Sequence, residues 1–250
     1  MEEPRSNPPS PIRFTRIDST NDEAKRAVLR GCEDRLTIVA DCQTSGRGSH
    51  GRPWSSPPGE DLYLSVIRHT TRPVRELPPI TLAAGLAVAD TVADHLPDQV
   101  PGIKWPNDIL LAGQKCAGIL TETVSHSTGT TVSAIVGIGL NVNRTEWSQD
   151  LSTTATSMKM VAGVDLDREE VLSTLLVHVH RWLDRFLDEG PGPIVTALER
   201  RLCFLGDPVR IGSVDGTFLG VTSTGAARLQ TRDGEKEIVS GPIVPRSHRH

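Results

Sequence analysis

Between two apolar runs, Leu36 to Ala40 and Leu62 to Ile67, the chain carries the loop Thr44-Ser-Gly-Arg-Gly-Ser-His-Gly-Arg-Pro-Trp54, and the residues just after it restrict the possible folds more than any other stretch. Gly46, Gly48 and Gly51 satisfy the G-x-G-x-x-G spacing of dinucleotide-binding turns. That spacing works only where a helix opens behind it and offers its N-terminus to a pyrophosphate. Here Pro53 and Ser55-Ser-Pro-Pro-Gly59 come next, so no helix can start and a doubly wound nucleotide fold is set aside. The P-loop pattern G-x-x-x-x-G-K-[ST] is absent as well. The loop reads instead as an anion cradle, in which glycines let the backbone approach a ligand while Arg47 and Arg52 supply planar donor forks. The plainer reading is a mobile connector.

Around this loop the pattern alternates between strands and helices. Ser19, Thr20, Asn21, Asp22 and Glu23 form two overlapping capping boxes ahead of Ala24, Ala27 and Val28, predicting a helix over 21–30 that Gly31 stops. Leu36 to Ala40 and Leu62 to Ile67 suit strands. Pro78-Pro79 opens a helical pattern closed by Pro97. Cys116 to Val124 and Thr130 to Ile138 read as a hairpin around His126-Ser-Thr-Gly129. Asp167 with Glu170 caps a long amphipathic helix to Gly190, and a shorter helix covers 193–202. From Gly206 the texture changes to short β-type runs (Val209–Ile211, Thr217–Thr222, Ala227–Thr231, Lys236–Ser240) separated by Asp215-Gly216, Thr224-Gly225 and Asp233-Gly234. The expected organisation is a proline-rich, floppy tail over 1–11, an α+β unit over 12–203 with a mixed sheet flanked by helices, and a small β-barrel over 204–250.

Composition limits the partners. With 27 Lys and Arg against 31 Asp and Glu the net charge is −4, so no global positive field draws in nucleic acid. The four cysteines form no C-x-x-C pair, which suits a reducing cytoplasm, and no apolar run approaches the length of a membrane helix. No metal-ligand spacing stands out: His178-Val-His180 are two apart on a helix and do not share a face, and His248 and His250 lie in a basic tail. Met158-Lys-Met160 resembles a lysine acceptor site of a carrier domain, but a short loop helix fits its flanks better.

Two further segments carry chemistry. Lys104-Trp-Pro-Asn-Asp108 joins a cation, an aromatic face and two hydrogen-bonding side chains around a rigid proline. Lys115 then enters the run Cys116-Ala-Gly-Ile-Leu-Thr-Glu122, where Gly118 permits close approach to a sheet, and Gly137-Ile-Gly-Leu-Asn-Val-Asn143 opens space beside the next strand.

Taken together, Asp18-Ser-Thr-Asn21, Gln43, Gly46-Arg-Gly48 with Gly51-Arg52 and Trp54, Lys104-Trp-Pro-Asn-Asp108, Lys115-Cys-Ala-Gly-Ile-Leu120 and Gly137-Ile-Gly-Leu-Asn141 resemble the biotin protein ligases in order and spacing. The resemblance spans about 12–245. It implies a class II synthetase-like catalytic sheet and an SH3-like C-terminal barrel. Because only the proline-rich tail precedes Asp18, the monofunctional type without a DNA-binding domain is expected. It also implies a reaction: biotin's carboxylate attacks the α-phosphate of ATP, with Mg²⁺, and a lysine of a biotin carboxyl carrier protein then attacks the biotinoyl-5′-AMP. The carrier would belong to an acetyl-CoA or acyl-CoA carboxylase or to pyruvate carboxylase.

By this resemblance Lys115, Arg47 and Asp108 are catalytic. Lys115 would contact the carboxyl and α-phosphate oxygens, Arg47 the adenylate phosphate, and Asp108 the incoming amine. Ser19, Thr20, Gln43, Gly46, Arg47, Lys115, Gly118, Leu120, Gly137 and Gly139 are the expected biotin site. Arg47, Arg52, Trp54, Lys104, Asn107, Lys115 and Asn141 are the expected ATP site. For Ser19 and Thr20 the competing role is helix capping. The alternatives are a lipoate–protein ligase and a non-catalytic biotin-adenylate-binding regulator.

Many members of that family carry an arginine where this chain has Ser49, at a position associated with adenylate retention. A lost charge-assisted phosphate contact costs about 1.5–3 kcal/mol. Ser49→Arg is therefore expected to slow the escape of free biotinoyl-AMP by tenfold or more, measured in filtrates without carrier; equal release from both proteins would contradict this.

Overall fold

The computed structural model describes residues 9–125 and 131–246. Most of the expected tail, the hairpin tip at 126–129 and the last two histidines lie outside the described residues. Seven strands form the main sheet: β1 (Ile12–Phe14), β2 (Thr37–Ala40), β3 (Leu62–Thr70), β4 (Gly102–Lys104), β5 (Asp108–Leu111), β6 (Gln114–Ser125) and β7 (Val132–Leu140), in the spatial order β1-β2-β3-β7-β6-β5-β4. Only β1 runs parallel to its neighbour; every other pairing is antiparallel. Five helices accompany the sheet: α1 (Thr20–Leu29), α2 (Pro79–His95), α3 (Met158–Ala162), α4 (Arg168–Glu189) and α5 (Gly192–Leu198).

The sheet is covered on both faces, which explains the nearly unbroken apolar runs of β3 and β7. Val39, Leu64, Val66, Val136 and Ile138 pack toward α2 and α4, whereas Ile38, Ile67 and Ile135 pack under Ala24, Ala27 and Val28 of α1. Helix α2 lies between the sheet and α4 and is buried almost all round, so its residues are mostly Ala, Leu, Ile and Val. Helix α4 follows its amphipathic pattern, with the Asp167 carboxylate accepting the Glu169 and Glu170 backbone N–H groups. At α1, Ser19 occupies the N-cap position, but its hydroxyl makes no capping bond. Met158-Lys-Met160 opens the short helix α3. The helix expected over 193–202 ends at Leu198.

After α5 comes an antiparallel sheet of β8 (Pro208–Ile211), β9 (Val214–Val221), β10 (Ala227–Thr231), β11 (Gly234–Ile238) and β12 (Ile243–Pro245), in the order β11-β10-β9-β8-β12. It is separate from the main sheet, as in an SH3-like module. Trp105 joins the two. Its side chain is 2% exposed, and its indole N–H donates to the Gly225 carbonyl at 2.9 Å. The aromatic face that looked available in the sequence is thus consumed by packing. Among the described residues no helix is long and apolar enough to cross a membrane.

A buried polar cluster ties α4 to β3. Arg68, 1% exposed, pairs with Asp184 at 2.9 Å and Asp34 at 3.3 Å. His180 sits beside Arg35, Arg68, Asp34 and Asp184; burial first, then the two guanidinium groups, lower its pKa to about 4. The unfolded imidazole takes up a proton near pH 6.5, and the folded one does so only near 4. Stability that is complete above pH 6.5 therefore drains away as pH falls toward 4. The loss is at most about 3 kcal/mol. Urea midpoints measured between pH 7 and 4.5 are expected to fall less steeply for His180→Gln than for the parent chain. Asp61, with its pKa raised to about 6 by burial, slopes the other way in both proteins and cancels in the comparison.

Candidate functional site

The α1 face of the main sheet carries a floor without side chains. Gly139 lies opposite Tyr63 and Gly118, and Gly137 lies opposite Ser65 and Leu120, so three glycines fall in cross-strand register on one face. Two side chains enter the space they leave. A methyl group at Gly118 would meet the Trp54 ring at 2.8 Å, and one at Gly139 would come closer still to the same indole, at 2.5 Å. A methyl group at Gly137 would overlap the Asn21 amide. Sequence reasoning assigns Asn21 no role in the site.

Lys115 reaches this face because of a β-bulge. Opposite β5 the register runs Asp108↔Gly118 and Ile109↔Ala117, then shifts to Leu110↔Lys115, leaving Cys116 as the extra residue. A bulge re-aims the side chain next to it. Without the shift Lys115 would point into the α2 core; with it, Lys115 lies beside Gly118, forms an ion pair with Asp108 and stands 5.3 Å from the centre of the Trp54 ring. Cys116 itself is fully buried, and burial pushes its thiol up, away from any thiolate chemistry.

The glycine-rich loop is a closed hairpin. Gly48 N–H donates to Arg52 O at 2.7 Å and Trp54 N–H to Gly46 O at 2.8 Å. A methyl group at Gly46 would meet the Trp54 carbonyl at 2.7 Å, so this glycine serves loop closure and does not line the cavity. Arg47 donates both arms of its fork to Asp22 at 2.7 and 2.6 Å, tying the loop to the first turn of α1. The same contact holds the Asp22 carboxyl below the usual range. Arg52 is exposed and reaches back to Ser49.

Between loop and floor lies a cavity of about 190 Å³. One end is walled by Ser19, Thr20, Asn21 and Gln43. The middle holds Arg47, Trp54, Lys115, Gly118, Leu120, Gly137 and Gly139, with Arg52 and Asn107 at the rim. The other end holds Asn141, Arg144, Trp147, Leu151 and Ala155. The Arg144 guanidinium stacks 4.4 Å above the Trp147 ring and also reaches Ser55, closing this end against the loop. Asn141 donates to the Thr156 carbonyl at 2.9 Å, fixing the segment beneath it. Arg144, Trp147, Leu151 and Ala155 follow no spacing rule; an arginine and a tryptophan three residues apart just past a strand end were the one available signal.

Asp108 and Lys104 line a second, open hollow of about 450 Å³. Its walls include Thr81, Thr121, Trp105 and the 239–242 segment after β11, and it shares Ser49, Arg52, Asn107, Ile119 and Leu120 with the first cavity. The Lys115–Asp108 pair therefore stands where the two cavities meet, Lys115 lining the first and Asp108 the second. Chemically, the chamber offers hydrogen-bonding groups at one end, an aromatic and amide wall at the other, and a lysine between them.

Comparison with known proteins agrees with this geometry. Residues 13–143 match the biotin/lipoate A/B protein ligase family. The biotin–[acetyl-CoA-carboxylase] ligase of Paracoccus denitrificans is 33% identical over 239 residues, covering 92% of this chain and 98% of that protein. The bifunctional ligase/repressor BirA of Bacillus subtilis is 33% identical over 233 residues, 91% of this chain and 71% of its own. The solved structure of the Aquifex aeolicus biotin protein ligase in complex with biotin and ATP superposes with a TM-score of 0.80 at 31% identity, covering 94% of this chain and 98% of that one.

The Arg47–Asp22 fork should govern how firmly the loop is held. Asp22→Ala is expected to raise the rate of tryptic cleavage after Arg47 severalfold while the thermal midpoint changes little; unchanged cleavage would show that the loop's own backbone bonds suffice.

Proposed function

The chain belongs to the biotin/lipoate A/B protein ligase family, and we propose that it joins biotin to a lysine of a biotin carboxyl carrier protein, using ATP and passing through biotinoyl-5′-AMP. The observation that carries this reading is the position of Lys115, aimed by a bulge onto a side-chain-free floor midway between a polar end and an aromatic end. Biotin's bicyclic head would sit among Ser19, Thr20 and Gln43, its valeryl chain alongside Trp54 toward Lys115, and adenine near Asn141 and Trp147.

In the first step a biotin carboxylate oxygen bonds to the α-phosphorus while the bond to the β-phosphate breaks and pyrophosphate leaves. Two anions must meet, so the charge of Lys115 and Arg47 holds the carboxylate and phosphate together as negative charge grows at phosphorus. Arg52, exposed at the rim, faces the leaving pyrophosphate. Among the described residues no three His, Cys, Asp or Glu side chains cluster as a metal cage. Mg²⁺ would accordingly be held by the phosphates of ATP, where it neutralises their charge. In the second step the carrier amine, entering through the open hollow, loses a proton to Asp108 and bonds to the acyl carbon as AMP departs. Lys104, on the wall of that hollow, bears on the second step more directly than on the nucleotide.

A lipoate ligase would use the same adenylate logic, but a dithiolane has no use for the polar end. The relatives' names point to a carboxylase carrier; an acetyl-CoA carboxylase subunit is the expected substrate, with a pyruvate carboxylase carrier as an acceptor of the same kind.

Incubating the chain with biotin, MgATP and a carrier domain, then weighing the carrier by intact mass spectrometry, tests the proposal. One biotinoyl increment is expected, lost without ATP and lost in Lys115→Ala. Asp108→Asn should keep biotin-dependent pyrophosphate release while slowing transfer to the carrier about a hundredfold. No increment and no pyrophosphate would overturn the reading.

A further inference from the structure

We infer that Glu122, a residue outside the cavity wall, sets the direction of the hydrogen bonds at the cavity's polar end and so selects ligands whose head group donates N–H bonds. The inference rests on the biotin reading and adds a positioning residue to it.

The direction is fixed by counting hydrogens. Glu122 pairs with Lys25, whose ammonium donates at 2.6 Å. The Asn21 side-chain amide nitrogen lies 2.8 Å from the other Glu122 oxygen and 3.3 Å from the Leu120 carbonyl. A carboxylate and a carbonyl only accept, so the amide has one possible orientation, with Nδ2 toward them and Oδ1 toward Ser65. Ser65, fully buried, has its hydroxyl 2.6 Å from Asn21 Oδ1 and 2.8 Å from Thr20 Oγ1. It owns one hydrogen. Asn21 Oδ1 has none to give, so the Ser65 hydrogen goes there.

Thr20 is left as a donor to the wall and an acceptor to the cavity. Its hydroxyl hydrogen points inward, to Ser65 Oγ or to Gln43 Oε1 at 3.2 Å. Gln43 is held in the matching orientation, with Oε1 accepting the Thr20 backbone N–H at 2.9 Å and Nε2 donating to Ser56 at 3.0 Å. Among the described residues no hydrogen is directed at Thr20 Oγ1, and Thr20 lines the cavity. The lone pairs it presents match the N–H groups of a cyclic urea and find no donor on a dithiolane. A buried acceptor left unpaired discriminates strongly. Gly137 belongs to the same device, since any larger residue there would displace the Asn21 amide.

Glu122→Gln tests this without touching the cavity wall, because the side chain is 29% exposed and keeps its size. A glutamine can donate as well as accept, so only the longer bond to the Leu120 carbonyl still orients Asn21, and the direction of the chain of hydrogens is weakened. In the full-length chain, biotin-dependent pyrophosphate release is measured with biotin and with an analogue methylated on one ureido nitrogen. The parent protein should prefer biotin about tenfold or more. In the variant the KM for biotin should rise about fivefold to tenfold, as one weakened hydrogen bond implies, with kcat at saturating biotin held within about twofold and the preference over the analogue largely lost. An unchanged KM, or equal weakening of both ligands, would overturn the inference while leaving the biotin reading intact. Failure of the parent chain to use biotin at all would overturn both.

Discussion

The site depends on a sheet face from which side chains have been removed. A sheet buried on both faces ordinarily fills each with branched residues, and β3 and β7 do so along most of their length. At Gly118, Gly137 and Gly139 the filling stops, and the register that brings these glycines together across two strands turns three separate gaps into one floor. Everything that acts there arrives from elsewhere: Trp54 from the loop, Asn21 from α1, and Lys115 from the strand end through a bulge. The glycines weaken their strands locally, and the cost is borne by long antiparallel pairings with β3 and the buried helix α2 behind them.

Charge in this chamber is balanced before any ligand arrives. Lys115 faces Asp108, and Arg47 is held by both oxygens of Asp22. The two cations that would meet the carboxylate and the α-phosphate thus already have an anionic partner. Binding such a ligand is then an exchange of partners rather than the burial of a new ion pair, which limits the desolvation that an empty cationic pocket would suffer. It also means that a released carboxylate accompanies each captured phosphate. In the case of Asp108, the released group stands beside the path of an incoming amine.

Much of this was legible in the chain and some was not, for identifiable reasons. Helices α1, α2 and α4 and the strands β3, β6 and β7 announced themselves through periodicity and breaking residues, although the capping box read at Ser19 makes no side-chain bond while that at Asp167 does. Strand β1 has three residues and gains its identity only by lying parallel to β2. The turn Trp105-Pro-Asn107 was visible as something costly, but its tryptophan proved to be a structural joint. Among the site residues, glycines and arginines in a compact loop were conspicuous. The aim of Lys115 was not, since a bulge is a property of two strands and neither sequence alone encodes it. Arg144 and Trp147 were missed because a loop that folds back over a cavity has no period. Ser65 and Glu122 looked like ordinary alternation in strands, and their roles emerge only when hydrogens are counted across four segments.

Trp105 gives the C-terminal sheet a hold on the catalytic turn. Its indole is anchored to Gly225, while the next two residues after its proline are Asn107, clamped to Ile119 by two hydrogen bonds, and Asp108, partner of Lys115. The second sheet is thus a brace on the residues that separate chamber from approach. Movement of that sheet would be transmitted through a rigid aromatic lever to the Asp108 carboxylate. The two sheets also share one apolar core, so the turn that carries Asp108 is set by packing from both of them.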